Sequence, residues 1–215
     1  MIYVHSLLKR HGPGLLLLAA VLGLLAAGAL QVQAQYSVLY SFGTGNPDGA
    51  FPAGELIFDS KGNLYGTTSS TANACYGGTV FELSPPSGGV GPWTETVLYC
   101  FGGGIDGSAP RSSLIFDSQG NLYGVTTQGG IYDCSQGGDG IGCGVVFELS
   151  PPSGGGGSWT KSVLYSFRGR GDGSMPAGRL IFDPEGNLYG TTYYSWYLES
   201  GSGVAFELSP DRHPL

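Results

Sequence analysis

LIFDSKGNLYGTT, residues 56–68, decides the fold, because it returns as LIFDSQGNLYGVT at residues 114–126 and as LIFDPEGNLYGTT at residues 180–192. In each copy an Asp (Asp59, Asp117, Asp183) opens a four-residue turn and a Gly (Gly62, Gly120, Gly186) closes it. Pro184 takes the second position of the third copy. Asp bonds the turn backbone, Pro presets φ, and Gly accepts the positive φ that other residues resist, so the spacing predicts a type I turn with a left-handed glycine bulge. Two short strands joined this way form a hairpin, and the chain is a repeat protein.

The composition agrees with that reading. Of 215 residues 40 are Gly and 13 are Pro, and charged residues make up only 12%. Gly and Pro interrupt helices and supply turns, and no sustained 3.6-residue apolar period follows the first thirty or so residues, so the chain reads as all-β. Working outward from the hairpin, the strand-like SVLYSF at 37–42 recurs as TVLYCF at 96–101 and SVLYSF at 162–167. GTVFELSP at 78–85 recurs as GVVFELSP at 144–151 and GVAFELSP at 203–210. Four strands in a period of roughly sixty residues is the pattern of a β-propeller blade. Leu56 and Phe58 point one way and Ile57 the other, so both faces of each sheet are apolar and the sheets must stack.

The expected architecture is therefore β-propeller-like, with three four-stranded blades in residues 35–215. Three blades fall short of the roughly four to eight that close a ring. Two arrangements follow: an open arc, or half of a six-bladed homodimer in which the strand at 38–42 completes the third blade of its partner.

These motifs, in this order and repeated three times over residues 36–210, resemble the Gloeo/Verruco (GloVer) repeat of exported "choice-of-anchor" tandem-repeat proteins. The Asp-x-x-Gly-Asn-Leu-Tyr core is also similar to NHL-type and SMP-30-like propeller repeats. The first resemblance implies a secreted or surface propeller of unassigned activity. The chain departs from that pattern in having few repeats and no visible C-terminal anchoring segment.

Lys9, Arg10 and His11 precede the apolar run 14–30, which ends in Val32-Gln33-Ala34. Residues 1–34 thus read as a signal peptide cut after Ala34, with an uncleaved anchor as the rival reading. The expected location is secreted, periplasmic or cell-surface, with no membrane span after cleavage. With 9 basic against 16 acidic side chains, the net charge is −7, and nucleic acid is excluded as a partner because phosphate binding needs a basic face.

Cys75, Cys100, Cys134 and Cys143 in an exported chain are expected as disulfides. Cys134 and Cys143 bracket one Gly-rich loop. Cys75 precedes the strand at Thr79 and Cys100 ends its antiparallel neighbour, which favours Cys75–Cys100 and Cys134–Cys143 among the three connectivities. Beyond residue 34 the chain has His213 alone, too little for a His-based triad or a zinc centre. No catalytic residue and no metal site is assigned. The recurring Asp59, Asp117 and Asp183 cap turns, and Glu82, Glu148 and Glu207 occupy one strand position, so repetition marks both sets as structural. Asp48, Asp106 and Asp172, in Asp-Gly turns, are the oxygen ligands open to calcium, although turn formation accounts for them. Arg170-Gly171-Asp172 spells an adhesion tripeptide, but its Asp belongs to that same turn series.

Aromatic loop residues remain. Tyr194, Trp196 and Tyr197, with Tyr76 and Tyr132 in the corresponding loops, are the candidate binding residues for a carbohydrate or protein partner, since exposed rings stack on sugars and anchor interfaces. The expected function is a non-catalytic binding or surface-structural module. The alternatives are a metal-assisted propeller hydrolase or lactonase, and a truncated nonfunctional repeat array.

Overall fold

The computed structural model describes residues 35–43, 48–70, 75–134, 141–154, 157–195 and 202–210. The expected signal peptide lies outside the described residues, as do Trp196 and Tyr197. The chain divides into two compact units, Met1–Val38 and Leu39–Leu215. Of the first, only 35–38 are described, and they are exposed and outside any ladder.

The second unit is all-β, built of three antiparallel sheets. The first runs in order β1 (Ala50–Phe58), β2 (Leu64–Ser70), β3 (Thr79–Ser84), β4 (Thr94–Cys100). In the second, β5 (Ser108–Pro110) and β6 (Ile115–Phe116) both pair β7 (Leu122–Gln128), which pairs β8 (Val145–Ser150), which pairs β9 (Thr160–Ser166). In the third, β10 (Ser174–Pro176) and β11 (Ile181–Phe182) pair β12 (Leu188–Tyr194), and β13 (Ala205–Leu208) pairs β12 on its other side.

The turn expected from the sequence is present three times. The Asp59 and Gly62 N–H groups donate to the Asn63 and Asp59 carbonyls at 3.0 and 3.3 Å, and Asp117 and Asp183 repeat the pattern. Gly62, Gly120 and Gly186 have φ of 88°, 86° and 86°, the left-handed conformation that the sequence reserved for Gly. The Asp carboxylate fixes the turn: Asp59 accepts from the Lys61 and Asn63 N–H groups, the Asn63 amide and the Tyr65 hydroxyl at 2.8–3.2 Å.

A second Gly series answers to packing. Gly66, Gly124 and Gly190 lie mid-strand in β2, β7 and β12, where a Cβ would meet the rings of Phe81, Phe147 and Phe206 at 2.6, 2.8 and 2.5 Å. Each ring lies across the bare backbone of the neighbouring strand, which is why LYG precedes the threonines.

The sheets stack through recurring aromatic contacts. Tyr65 meets Phe116 of the second sheet and Tyr123 meets Phe182 of the third, both edge-on at 5.1 Å between ring centres. Phe101, after β4, reaches Phe147 at 5.2 Å, and Phe167, after β9, reaches Phe206 at 5.1 Å. The backbone joins in as well. Ala109 and Met175 adopt φ of 53° and 55°, turning their N–H groups out of their own sheet to donate to the Gly77 and Cys143 carbonyls of the preceding one, at 2.7 and 2.9 Å. The first strand of the second and third sheets is broken in two, whereas β1, in which Phe51 has the same positive φ of 58°, is continuous.

Two further differences concern the strand count of the sheets. Residues 37–42, expected as a strand, form no ladder. Instead Tyr40 and Phe42 pack on the first sheet, Phe42 meeting Phe81 at 4.7 Å. The third sheet, correspondingly, has no fourth strand beyond β13 among the described residues. An isolated segment gains no ladder hydrogen bonds until an edge strand lies beside it, and within this chain that edge is on another sheet.

Candidate functional site

Register defines the ends of each sheet. Ala50 pairs with Ser70 and Thr79 with Cys100, while Phe58 pairs with Leu64 and Ser84 with Thr94. The loops before β1, between β2 and β3, and after β4 therefore emerge together at one end, as expected for alternate connections of an up-and-down sheet. The short Asp turns and the Pro-Pro-Ser-Gly connections occupy the other.

Both disulfides pin the loop end. Cys75–Cys100 joins the entry to β3 with the end of its neighbour β4, and Cys134–Cys143 closes the corresponding loop of the second sheet, each with Cα atoms 5.0 Å apart. The connectivity is the one the sequence favoured. By restricting the unfolded chain, the bridges across sequence separations of 25 and 9 contribute about 3.5 and about 2.5 kcal/mol.

The five candidate binding residues separate in their environments. Tyr76 is exposed beside Cys75. Tyr132 is half-buried against the second core cluster, with the Arg168 guanidinium 5.4 Å from its ring centre. Tyr194 closes β12 opposite Ser174 and is half-buried. No ring contact joins these three to one another among the described residues. The neighbour of Tyr194 in β12, Tyr193, is exposed. Strand alternation puts successive side chains on opposite faces, and this was the signal that separates them.

The recurring carboxylates are engaged within the fold. Burial pushes the Asp59 carboxyl up, but the N–H groups of Asn63 and Lys61 with the Asn63 amide and the Tyr65 hydroxyl more than reverse this, leaving it below its ordinary range. Asp117 and Asp183 end below it in the same way. Asp106 and Asp172, in the Asp-Gly series, accept the Tyr99 and Tyr165 hydroxyls at 2.7 and 2.8 Å and the N–H groups of Gly102 and Arg168 at 2.8 and 2.9 Å. Glu82, Glu148 and Glu207 each accept a Ser hydroxyl two residues on at 2.8–3.0 Å. Among the described residues no three His, Cys, Asp or Glu side chains gather as a metal cage.

One repeat position carries opposite charges. Lys161 of β9 crosses to Asp106 at 2.7 Å, while the equivalent residue of β4 is Glu95, within electrostatic reach of Asp48. Burial first, and the Asp48 charge second, push the Glu95 carboxyl up to about 7, and its buried Oε1 has no hydrogen-bond partner among the described residues. An acid whose folded pKa lies above its ordinary 4.5 binds protons more tightly in the native state, so it costs nothing below that value and stability falls as pH rises through about 7. Glu95→Gln is expected to melt with the parent near pH 4.5 and about 2–4 °C higher at pH 8, an effect of about 1 kcal/mol once solvent screening of this half-exposed group is allowed for. A difference that stays constant with pH, followed by calorimetry, would contradict this.

A further cluster escaped the sequence reading. Glu55, Ser113 and Arg179 occupy one repeat position, directly before Leu56, Leu114 and Leu180, and they converge: the Glu55 N–H donates to Ser113 Oγ at 2.9 Å and Arg179 lies 3.9 Å from the Glu55 carboxylate. Different side chains at one repeat position gave no motif to find. Beside Arg179, an open groove of about 460 Å³ runs along the third sheet past Ile181, Tyr189, Thr191 and Phe206. No helix among the described residues is long and apolar enough to cross a membrane. No family model matches the chain, and no curated protein matches it.

Proposed function

We propose that the chain is an exported, non-catalytic module in which three blades of a β-propeller present their disulfide-pinned loop end to a carbohydrate or protein partner. The observation that carries this reading is the contrast between aromatic rings and carboxylates. Tyr76 and Tyr193 stand out into solvent, while the recurring acids are held by turn N–H groups, tyrosine hydroxyls and serines. A hydrolytic site needs carboxylates free to move protons or hold a metal, whereas a binding face needs exposed rings on a rigid frame. Two disulfides suit an oxidising, extracellular setting. The blade assignment rests on the repeated strand order and on the sheet-to-sheet aromatic contacts, and the kinship with Gloeo/Verruco repeats on the recurring motifs.

Affinity electrophoresis through gels carrying neutral polysaccharides tests the sugar reading. Retardation should persist in EDTA and fall at least tenfold in Tyr76→Ala/Tyr193→Ala, whose exposed side chains leave the core untouched. Turnover of an ester or glycoside that tracks retained metal would overturn it in favour of an enzyme.

A further inference from the structure

We propose that the two end faces of the three-sheet array dock a second copy of this chain, the first sheet of each copy seating on the third sheet of the other to close a six-bladed ring. The proposal rests on the blade reading above but not on what the loop end binds.

Exposure at equivalent positions identifies both faces. Leu114 and Leu180 are fully buried beneath the sheet that precedes theirs, whereas Leu56, at the same position in the first sheet, is 49% exposed, and Phe58 beside it is 68% exposed. At the other end, Ile115 is 6% exposed beneath the third sheet and Ile181 is 59% exposed. The side chains left in solvent are the ones that the two internal junctions bury. A third junction of the same kind would cover both sets together, and the surface complementary to each end is present at the other end of the molecule. The groove past Ile181, Tyr189 and Phe206 is the space that such a sheet would fill.

The internal junctions dictate the contacts. Tyr65 meets Phe116 and Tyr123 meets Phe182, so Tyr189 should meet Phe58 of the second copy. The Ala109 and Met175 N–H groups donate across their junctions, and Phe51, with the same left-handed backbone at φ 58°, is placed to donate to the Ser202 carbonyl of the second copy.

Residues 38–42 supply the remaining piece. Phe42 already lies on Phe81 as Phe101 lies on Phe147 and Phe167 on Phe206, so the segment occupies the place of a fourth strand belonging to a preceding blade. In the ring that blade is the third sheet of the second copy, whose β13 lacks an outer neighbour among the described residues. The β3–β4 ladder pairs Val80 with Tyr99 and Phe81 with Val97. By that register Tyr40 falls opposite Ala205 and Val38 opposite Phe206 of the second copy. A twofold axis makes the two new junctions identical, and six blades lie within the range that closes.

Light scattering on the purified, oxidised protein at micromolar concentration tests the ring, with Phe58→Asp and Ile181→Asp as paired variants. Both side chains are exposed in the single chain, so each variant should retain the parent's circular dichroism and disulfides. The parent is expected at the mass of two chains and each variant at one. A single-chain mass for the parent overturns the proposal, as does a two-chain mass that neither substitution changes, or an open-ended series of larger species. Sugar retardation by a single-chain species would leave the proposed function standing.

Discussion

Gly124→Val is expected to destabilise the protein by about 3 kcal/mol, lowering the melting temperature by roughly 6–12 °C for a domain of this size. Gly124 lies in the middle of β7, where a Cβ would stand 2.8 Å from the tip of Phe147 and 2.9 Å from Leu114. Neither neighbour can yield. Both are fully buried, and Phe147 is also gripped on its other side by Phe101 at the junction between the first two sheets. Valine adds a branched carbon where even alanine is too close, so the ring must leave its well and the junction loses its centre. Gly190→Val provides the internal comparison. Its Cβ would lie 2.5 Å from Phe206 and 2.8 Å from the buried Leu180, but in the single-chain Ile181→Asp background, where the groove of the third sheet stays open, the Phe206 ring has room to swing outward, so the two glycines are compared in that background. Thermal unfolding should therefore show the larger loss at Gly124 despite the longer distance. Equal losses would mean that strand propensity, and not the ring, sets the cost.

That comparison marks the boundary of what the residues disclose on their own. The hairpin was legible because Asp and Gly impose a turn locally, and the Asp59, Asp117 and Asp183 networks involve only residues within six positions of one another. The disulfides were legible because Cys75 and Cys100 flank strands that adjacent hairpin pairing brings together. Features created between sheets were not. Ala109 and Met175 take a left-handed backbone with no Gly to announce it, because each turns its N–H toward a neighbouring sheet, and Phe51 shares that conformation. Glu95 and Lys161 share one strand position, and only the fold sets Asp48 against the first and Asp106 against the second. Among the binding candidates, Tyr132 is a loop residue by sequence, and only the fold brings Arg168 over its ring.

Lys161→Ala is expected to cost about 3–5 kcal/mol at neutral pH, the range found when one member of a buried ion pair is removed. The Lys161 side chain is 4% exposed and that of Asp106 26%. The ammonium bonds both the carboxylate and the backbone carbonyl of Asp106 and sits 5.6 and 5.5 Å from the ring centres of Tyr99 and Phe101. Lys161 belongs to the second sheet, whereas Tyr99 and Phe101 end the last strand of the first and Asp106 lies in the connection between them. One side chain thus ties the outer edges of two sheets together. Burial raises the Asp106 carboxyl, but Lys161, the Gly102 N–H and the Tyr99 hydroxyl outweigh it and hold the group below its ordinary 3.8. A depressed acid stabilises the fold above its unfolded value and loses that contribution as pH falls through the folded one. The gap between parent and variant should accordingly be full at pH 7 and shrink as pH drops below about 4, leaving only the packing of the lysine stem. Lys161→Met retains most of that stem, so urea unfolding of the two variants separates charge from contact. If Met restores the stability and the gap ignores pH, the lysine acts as a hydrocarbon spacer and the ion pair contributes nothing to the junction.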